Sequence, residues 1–447
     1  MAEERGALLS HLMRHIFLIL CALSSAVAIA QEESGSVALT VERLFDLVES
    51  HSQALIVAKS GVESAEHGVA AAKSERLPDL NASLSFSYYG NVIQTDRDFS
   101  DAIGFSTPHF GNSFTFNAQQ VVYAGGALTA GIRLAEIGRE QAATGVVATR
   151  QAQRFLAVAQ YLELLQADNA LRVYDRNIAL TRRLIDDIEA KHAEGMALKN
   201  DITRYELQME TLRLGKRKVE DRRSVLNHQL CNTLGLEPTT YIQPDTTLML
   251  LSEQEHEADW QARAAAASTD LLMANLNTRA AQQQVKLAKS ELLPHLALFA
   301  WDDFTGPYNY DLPPVDKNYN VWSVGVGLSY SLSSLFKQNK KVRQSKAQLL
   351  VSQEAEVEAA EAVDNRMNEA HTLYLQAFED LRTRRKSAQL ARENYQVVND
   401  RYLNDLALIT DMTDASNILL SAELDETNAR IQIVYAFYKM KYIAGEI

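Results

Sequence analysis

Cysteine is nearly absent from the sequence, since Cys21 and Cys231 are the two among 447 residues. Because Cys21 lies in a segment that we expect to be removed, no intrachain disulfide can form in the mature chain, and a CxxC metal or redox motif is excluded. After the N-terminal segment, no run of about 20 apolar residues occurs, so the sequence predicts no conventional transmembrane helix. If the mature chain spans a membrane, it must do so as strands.

Basic residues are also outnumbered by acidic ones, with 44 Lys and Arg against 57 Asp and Glu and a net charge of −13. Nucleic-acid binding depends on clustered basic residues, so this class of partner is not expected. The histidines are scattered without ligand spacing, so we expect no metal site, and we expect His192 and His371 on the surface. No nucleophile elbow or phosphate loop occurs, so the sequence predicts neither an enzyme nor a cofactor.

The N-terminus has the layout of a secretory signal. Arg14 precedes the apolar run 16–23, and small residues follow it. We therefore predict a signal peptide over 1–30. Met13 begins a shorter stretch with an ordinary signal layout and is a candidate for the true start. Lipidation of Cys21 stays open as an alternative, although a leucine precedes it where a lipoprotein signal needs a small residue.

The rest of the chain is a tandem duplication. The segment AKSERLPDL at 72–80 returns as AKSELLPHL at 288–296, and smaller matches continue on both sides. We predict a first repeat over 31–240, a connecting equatorial segment over 241–258 and a second repeat over 259–447.

Each repeat begins with a helical pattern, which in the first repeat runs from Val41 to Leu77 and stops at Pro78. Alternating polar and apolar residues then predict a β-hairpin, at about 80–123 and again at about 295–332. In the first hairpin, the connection from about 95 to 111 is long and is expected to be an exposed loop.

A long helical hairpin follows each β-hairpin, at about 126–235 and about 337–443. The first long helix of each pair, near 126–194 and 337–403, is rich in Ala, Leu, Glu, Gln and Arg and contains no proline. Nearly 70 residues would extend about 100 Å, and the heptad-like apolar spacing predicts coiled-coil packing. A short break reverses each helix, and Asp201 and Asp411 are predicted to cap the returning helices.

Four strands cannot enclose a pore, and open strand edges are not tolerated in lipid, so the barrel must be shared between chains. The predicted fold is mainly α with a small β part. Three copies would contribute four strands each to a shared trimeric 12-stranded β-barrel above an α-helical coiled-coil barrel. The strand aromatics are predicted to face lipid, with an ordinary sandwich core as the alternative: Phe86, Tyr88, Trp322 and Tyr330.

This plan resembles the TolC family of trimeric outer-membrane channels. The resemblance covers nearly the whole mature chain and rests on the two AKSE-x-LP segments, the Tyr123-Ala124-Gly125-Gly126 sequence and the segment from Tyr402 to Asp414. It implies a homotrimer in the bacterial outer membrane with a large periplasmic portion. Its implied partners are a periplasmic adaptor protein and an inner-membrane transporter, with outer-membrane lipid around the barrel and no cofactor.

The resemblance also implies roles for residues near the helical tips. The family's two entrance aspartates fall on Asp411 and Asp414, where three-fold symmetry would place six carboxylates around the periplasmic mouth and attract cations. A helix cap is the simpler alternative for each. The family's tip arginine aligns with Ala407, although its partner aspartate is kept as Asp201. Asp405 replaces a glycine of the family.

Closure of such an entrance would then depend on other contacts. Tyr402 and Lys199 are the candidates, beside the Gly195 turn. The implied function is the channel component of a tripartite efflux pump, a passive duct that opens when its tips are contacted. A type I protein secretion outlet is one alternative, and a periplasmic coiled-coil adaptor or structural protein is another.

Overall fold

The computed structural model describes residues 36–245, 257–309, 314–404 and 406–447. The predicted signal peptide over 1–30 and the candidate start at Met13 lie outside these residues, as does most of the connecting segment predicted over 241–258. In the part of the chain that is described, no helix has both the length and the apolar character needed to cross a bilayer.

Eight helices and eight strands make up the described residues. The helices are α1 (Val41–His51), α2 (Gln53–Ser74), α3 (Ala127–Ala193), α4 (Lys199–Leu234), α5 (Glu257–Ala267), α6 (Thr269–Ser290), α7 (Ser334–Leu403) and α8 (Ile409–Ile443). The strands are β1 (Ser36–Leu39), β2 (Asp79–Tyr88), β3 (Val92–Gln94), β4 (Ile103–Phe105), β5 (Phe110–Ala124), β6 (Tyr241–Pro244), β7 (His295–Gly306) and β8 (Tyr319–Ser329).

The two long helices confirm the mainly helical prediction. The helix α3 has 67 residues and α7 has 70, so each extends about 100 Å. Each turns back into an antiparallel partner, α4 or α8. Helices this long persist because strong helix formers fill them and because their apolar stripes are covered by the partner helix.

The first helix is not continuous as predicted, because Ser52 separates α1 from α2. Ser52 is buried in an extended conformation, with ψ at 115°. Its N–H donates to the carbonyl of Val48 at 3.0 Å, and its own carbonyl accepts from the N–H of Ile56 at 3.1 Å. Ser268 separates α5 from α6 in the same way, with ψ at 124°. The break therefore recurs in both halves, and α2 ends at Ser74, before Pro78.

The four main strands form one antiparallel sheet in the order β2-β5-β7-β8. The connection predicted as an exposed loop over about 95–111 contains β4, which pairs with β3 just before that range. Within the described residues, β2 and β8 each have one edge without a neighbouring strand, and these two strands bound the sheet.

The two faces of this sheet differ in polarity. Cross-strand register places Leu84 beside Phe114 and Phe116 beside Asp302, with Trp322 next in the same row. On the opposite face, the rows between them carry mostly small and polar side chains, with three larger apolar ones among them: Ser83, Ser85, Ser113, Thr115, Ser323 and Gly325, beside Phe299, Trp301 and Val321. The predicted alternation of the strands is confirmed.

The main core surrounds the middle of the long helices, where β1 pairs with β6 in parallel. The hydroxyl of Tyr161 donates to the carbonyl of Leu39 at 2.7 Å and accepts from the N–H of Asp245 at 2.6 Å. Burial raises the pKa of Tyr161 to about 12. A second cluster joins α5, α7 and α8, and His371 is buried there, contrary to its predicted surface position.

Candidate functional site at the helical tips

The two helical reversals are built alike. At the first, Gly195 has φ at +76°, a left-handed conformation that ends α3 and that glycine adopts without a steric penalty. The N–H of Met196 then donates to the carbonyl of Lys191 at 2.8 Å. At the second, the N–H of Leu406 donates to the carbonyl of Arg401, also at 2.8 Å. Asp405, which the alignment of the two repeats places opposite Gly195, lies outside the described residues.

Asp201 and Asp411 occupy the same position in the two returning helices. Each is the third residue of its helix and not the N-cap that the sequence suggested; the N-caps are Leu198 and Leu408. The carboxylate of Asp201 accepts from the N–H of Leu198 at 3.2 Å, and that of Asp411 accepts from the N–H of Leu408 at 3.0 Å. Both therefore satisfy a backbone donor at a helix start and interact favourably with the dipole.

Asp414 lies three residues after Asp411 and is exposed. Residues separated by three positions lie on the same side of a helix, so the two carboxylates project from one face of α8 within its first two turns. Met412 and Ala415, which follow the two aspartates directly in the chain, are both buried. The start of α8 therefore carries two negative charges on one side, at the tip of the second helical hairpin.

Sequence reasoning missed the lysine that joins the two tips. Lys191, in the last turn of α3, donates to the carbonyl of Leu403 at 2.8 Å and to that of Tyr402 at 3.5 Å. Its ammonium also lies 5.7 Å from the centre of the Tyr402 ring. A cation at the end of α7 binds carbonyls of the last helical turn and opposes the negative end of the helix dipole.

The two residues suggested for closure are placed differently. Tyr402 lies at the junction, in contact with Lys191 and half-buried. Lys199 is the first residue of α4 and is exposed, and its carbonyl accepts a hydrogen bond from the hydroxyl of Thr203 at 3.3 Å. The structure therefore brings Tyr402 to the contact between hairpins, with Lys191 as its cationic neighbour.

An apolar cluster from all four long helices lies just inside the tips. Its buried members are Leu184 and Ile188 of α3, Tyr205 of α4 and Met412 of α8. Residues of α7 pack against them: Tyr395, Val398 and Tyr402. Burial raises the pKa of the Tyr205 phenol, so it stays neutral in this cluster. The two hairpins thus share one small core, and they cannot separate without exposing it.

An ionic cluster joins the hairpins further from the tips. Glu423 is 8% exposed, and its carboxylate lies 3.2 Å from Nε of Arg392 and 3.6 Å from Nη2 of Arg176. Glu426 bridges Arg392 at 3.2 Å and Arg430 at 3.1 Å. Glu423 lies 14 residues into α8, about 20 Å along that helix. Arginines from α3 and α7 therefore meet the same glutamate of α8.

The opposite end of the molecule carries the strand aromatics. Phe86 is 78% exposed, Tyr88 is 69% exposed and Trp322 is 72% exposed, while Tyr330 is 39% exposed. Phe86, Tyr88 and Trp322 share the apolar face of the sheet, and Tyr330 directly follows the last residue of β8. Exposed apolar patches of this kind are typical of surfaces that contact another protein or a membrane.

The sequence profile of the outer membrane efflux protein family matches residues 44–230 and 260–446. No curated protein sequence matches this chain. The fold is similar to that of the outer membrane protein VceC from Vibrio cholerae, with a TM-score of 0.74 and 15% identity over 91% of this chain and 96% of VceC.

Two further structures share the fold. The CmeC outer membrane channel of Campylobacter jejuni has a TM-score of 0.71 and 14% identity over 93% of this chain and 90% of CmeC. The open state of the MtrE outer membrane channel of Neisseria gonorrhoeae has a TM-score of 0.69 and 14% identity over 91% of this chain and 88% of MtrE. With both repeats matched by the family profile, the chain belongs to the outer membrane efflux protein family.

Proposed function

We propose that three copies of this chain form a passive exit duct through the outer membrane. The sheet is the observation that carries this proposal, because it has one apolar exposed face and two bounding strands, β2 and β8, each with an open edge. In lipid, the backbone N–H and C=O groups of an exposed strand edge would have no hydrogen-bond partners, so the edges must pair between chains. Pairing β8 of one copy with β2 of the next would close twelve strands, with the serine and glycine face around a wetted lumen.

The helices support the same assembly. Helix α4 exposes Leu207 and Leu214, and α7 exposes Leu390 and Val397. Each pair is separated by seven residues, which is the repeat of a coiled-coil seam. Since neither pair is buried within the protomer, neighbouring copies supply the cover. The long helices would then continue below the barrel as a hollow helical cylinder.

The carboxylates of Asp411 and Asp414 would surround the periplasmic entrance. Three copies would bring six carboxylates to one ring, which raises the local concentration of cations and disfavours anions. Asp411 would serve in addition as the helix cap described above. Lumen-facing charge of this kind selects ions by sign without any bound cofactor.

An adaptor and an inner-membrane transporter would open the entrance by contacting the tips. The contacts that such opening must break are the shared apolar cluster and the hydrogen bonds of Lys191 with Tyr402 and Leu403. These contacts join two rigid hairpins and so define a closed arrangement that a partner can bias. Gly195 fixes where the first hairpin turns and keeps the two tips level.

Planar-bilayer conductance of the purified trimer under asymmetric salt tests this proposal. The comparison is between the parent, the double variant Asp411→Ala with Asp414→Ala, and the single variant Asp201→Ala. Asp201→Ala is the matched control, because it removes the same backbone cap from α4. We expect cation selectivity to be lost in the double variant and kept in Asp201→Ala.

Equal loss of selectivity in both variants would assign the effect to helix capping and contradict the entrance ring. Membrane-inserted trimers that never conduct, even with the tips loosened by Lys191→Ala, would contradict the duct. A periplasmic adaptor, the alternative of another class, would not insert at all.

A further inference from the structure

A cavity of about 480 Å³ lies at the end of the sheet that is furthest from the helical tips. Loops from both repeats line it: Tyr89, Gly90 and Val92 from the first, and Thr305, Pro307, Tyr308 and Asn309 from the second. The volume lies within the range of about 300–1,000 Å³ that small-molecule sites occupy. None of these seven side chains is charged.

The cavity opens on the polar face of the sheet. Thr305 pairs with Ser113 and with Tyr319, in the row that also contains Ser85. The ring of Tyr89 lies over Gly111 on this face, where a Cβ would collide with it. In the proposed trimer this is the lumen side, so the cavity would border the outer mouth of the duct.

Asn309 gives the cavity its polar character. Its side-chain nitrogen and oxygen are both buried, and neither has a hydrogen-bond partner among the described residues. Leaving a buried amide without hydrogen bonds is unfavourable, so a bound molecule that offered one acceptor and one donor to Asn309 would be stabilised there.

Two aromatic rings stand beside this amide. Tyr89 is 42% exposed and Tyr308 is 45% exposed, and Tyr308 meets Tyr319 edge to face with 6.0 Å between ring centres. Tyrosine offers a flat apolar surface with a polar end, which suits a ligand that has one apolar face and hydroxyl groups at its rim.

We propose that this cavity binds a neutral sugar ring. A pyranose presents C–H groups on one face, which pack on tyrosine, and adjacent hydroxyls that donate and accept, as the Asn309 carboxamide requires. Because none of the described lining residues is charged, phosphate and carboxylate ligands are disfavoured. The direction from which the sugar enters the cavity rests on the proposed duct. The sugar comes either from surface polysaccharide or from an exported glycoside.

Saturation-transfer NMR on the full trimer in detergent, with N-acetylglucosamine and galactose as probes, tests the site. We expect saturable binding with a dissociation constant in the millimolar range. Asn309→Leu and Tyr308→Ala should each weaken it at least tenfold. Phe99→Ala is the control, because Phe99 is 86% exposed in the neighbouring loop and does not line the cavity. Absence of binding, or equal binding by all variants, would overturn the proposal.

Bilayer recordings with the same sugars distinguish the two sources of the sugar. They also show whether a negative result concerns the sugar site or the proposed duct. Reduction of conductance by sugar added on the loop side indicates surface polysaccharide, and reduction from the helix side indicates an exported glycoside. A trimer that conducts but binds no sugar in detergent overturns the sugar site and leaves the duct in place. Sugar binding that depends on Asn309 in a protein that never conducts supports the site and overturns the duct.

Discussion

Lys191 donates a hydrogen bond of 2.8 Å to the carbonyl of Leu403, and this bond joins the end of the first long helix to the end of the second. The two residues are 212 positions apart in the chain. Lys191 belongs to the first hairpin and Leu403 to the second, so a single cation of the first hairpin joins the two tips within one chain.

Lys191→Ala is therefore expected to loosen the closed tips. It removes a charge-assisted hydrogen bond to a helix end, worth about 1 kcal/mol at a half-buried position, or about fivefold in the closed-to-open ratio. Resting conductance in bilayers should rise accordingly. Lys199→Ala, which removes an exposed lysine eight positions along the chain, should leave conductance at the parent level. A rise of equal size in both variants would mean that net charge, and not this contact, sets the resting state.

Gly195→Ala should destabilise the first tip. Its φ of +76° costs an L-residue with a side chain roughly 1–2 kcal/mol. Hydrogen exchange at the amide of Met196 should accelerate, because its bond to Lys191 depends on that turn. Gly61→Ala is the comparison, since Gly61 lies exposed within α2 with free space around it, and alanine there should stabilise the helix by up to about 1 kcal/mol. Unchanged exchange at Met196 in Gly195→Ala would contradict this account of the turn.

Adjacent residues on β8 test the orientation of the sheet. Trp322 lies on the apolar face and Ser323 on the polar face. An arginine facing lipid near mid-bilayer costs about 2–4 kcal/mol, whereas one facing a wetted lumen costs little. Trp322→Arg should therefore reduce insertion into liposomes, and Ser323→Arg should insert normally and shift ion selectivity toward anions. The reverse pattern would place the polar face against lipid.

The contact between α1 and α3 predicts a pH-dependent contribution to stability. The Arg150 guanidinium, 2.7 Å from Glu49, lowers the pKa of that carboxyl below its usual value of 4.5. A lowered folded-state pKa stabilises the protein above pH 4.5, and this contribution is lost as the pH falls through the folded value. We expect Glu49→Gln to lower the melting temperature at pH 7, by the equivalent of about 1 kcal/mol or less.

At pH 3.5, the melting temperatures of the parent and Glu49→Gln should approach each other. Asp46→Asn, which changes an exposed carboxylate one turn earlier in α1, should differ little from the parent at either pH. A difference for Glu49→Gln that persists undiminished at pH 3.5 would show that the ion pair is not its cause.

Local signals were enough to predict the long helices and the four main strands. The bounds of α3 and α7 follow from long stretches of helix formers without proline, and the faces of β8 follow from strict alternation between Trp322 and Leu328. The break at Ser52 gave no such signal, because neither proline nor glycine marks it. What marks it is the burial of Ser52, which depends on tertiary packing and cannot be seen in the local sequence.

Contacts between distant parts of the chain could not be predicted from the sequence. The pairing of Lys191 with Leu403 depends on how two hairpins pack, and the sequence offered Lys199 as an equally plausible cation near the same turn. The parallel pair of β1 and β6 was missed for a similar reason, since each strand has four residues and no alternating pattern. The cavity near Asn309 depends on two loops from different repeats.

The pairing of β1 with β6 also sets an order of events for the growing polypeptide. Ser36 meets Tyr241, and the buried hydroxyl of Tyr161 is satisfied only when Leu39 and Asp245 are both in place. Strand β1 therefore cannot pair until more than 200 later residues have been synthesised. The helices between β1 and β6 can form earlier from local contacts. A chain interrupted after Leu234 would contain folded helices but would lack β6 in its core. The first repeat therefore folds as one unit, or its incomplete core remains open to proteases.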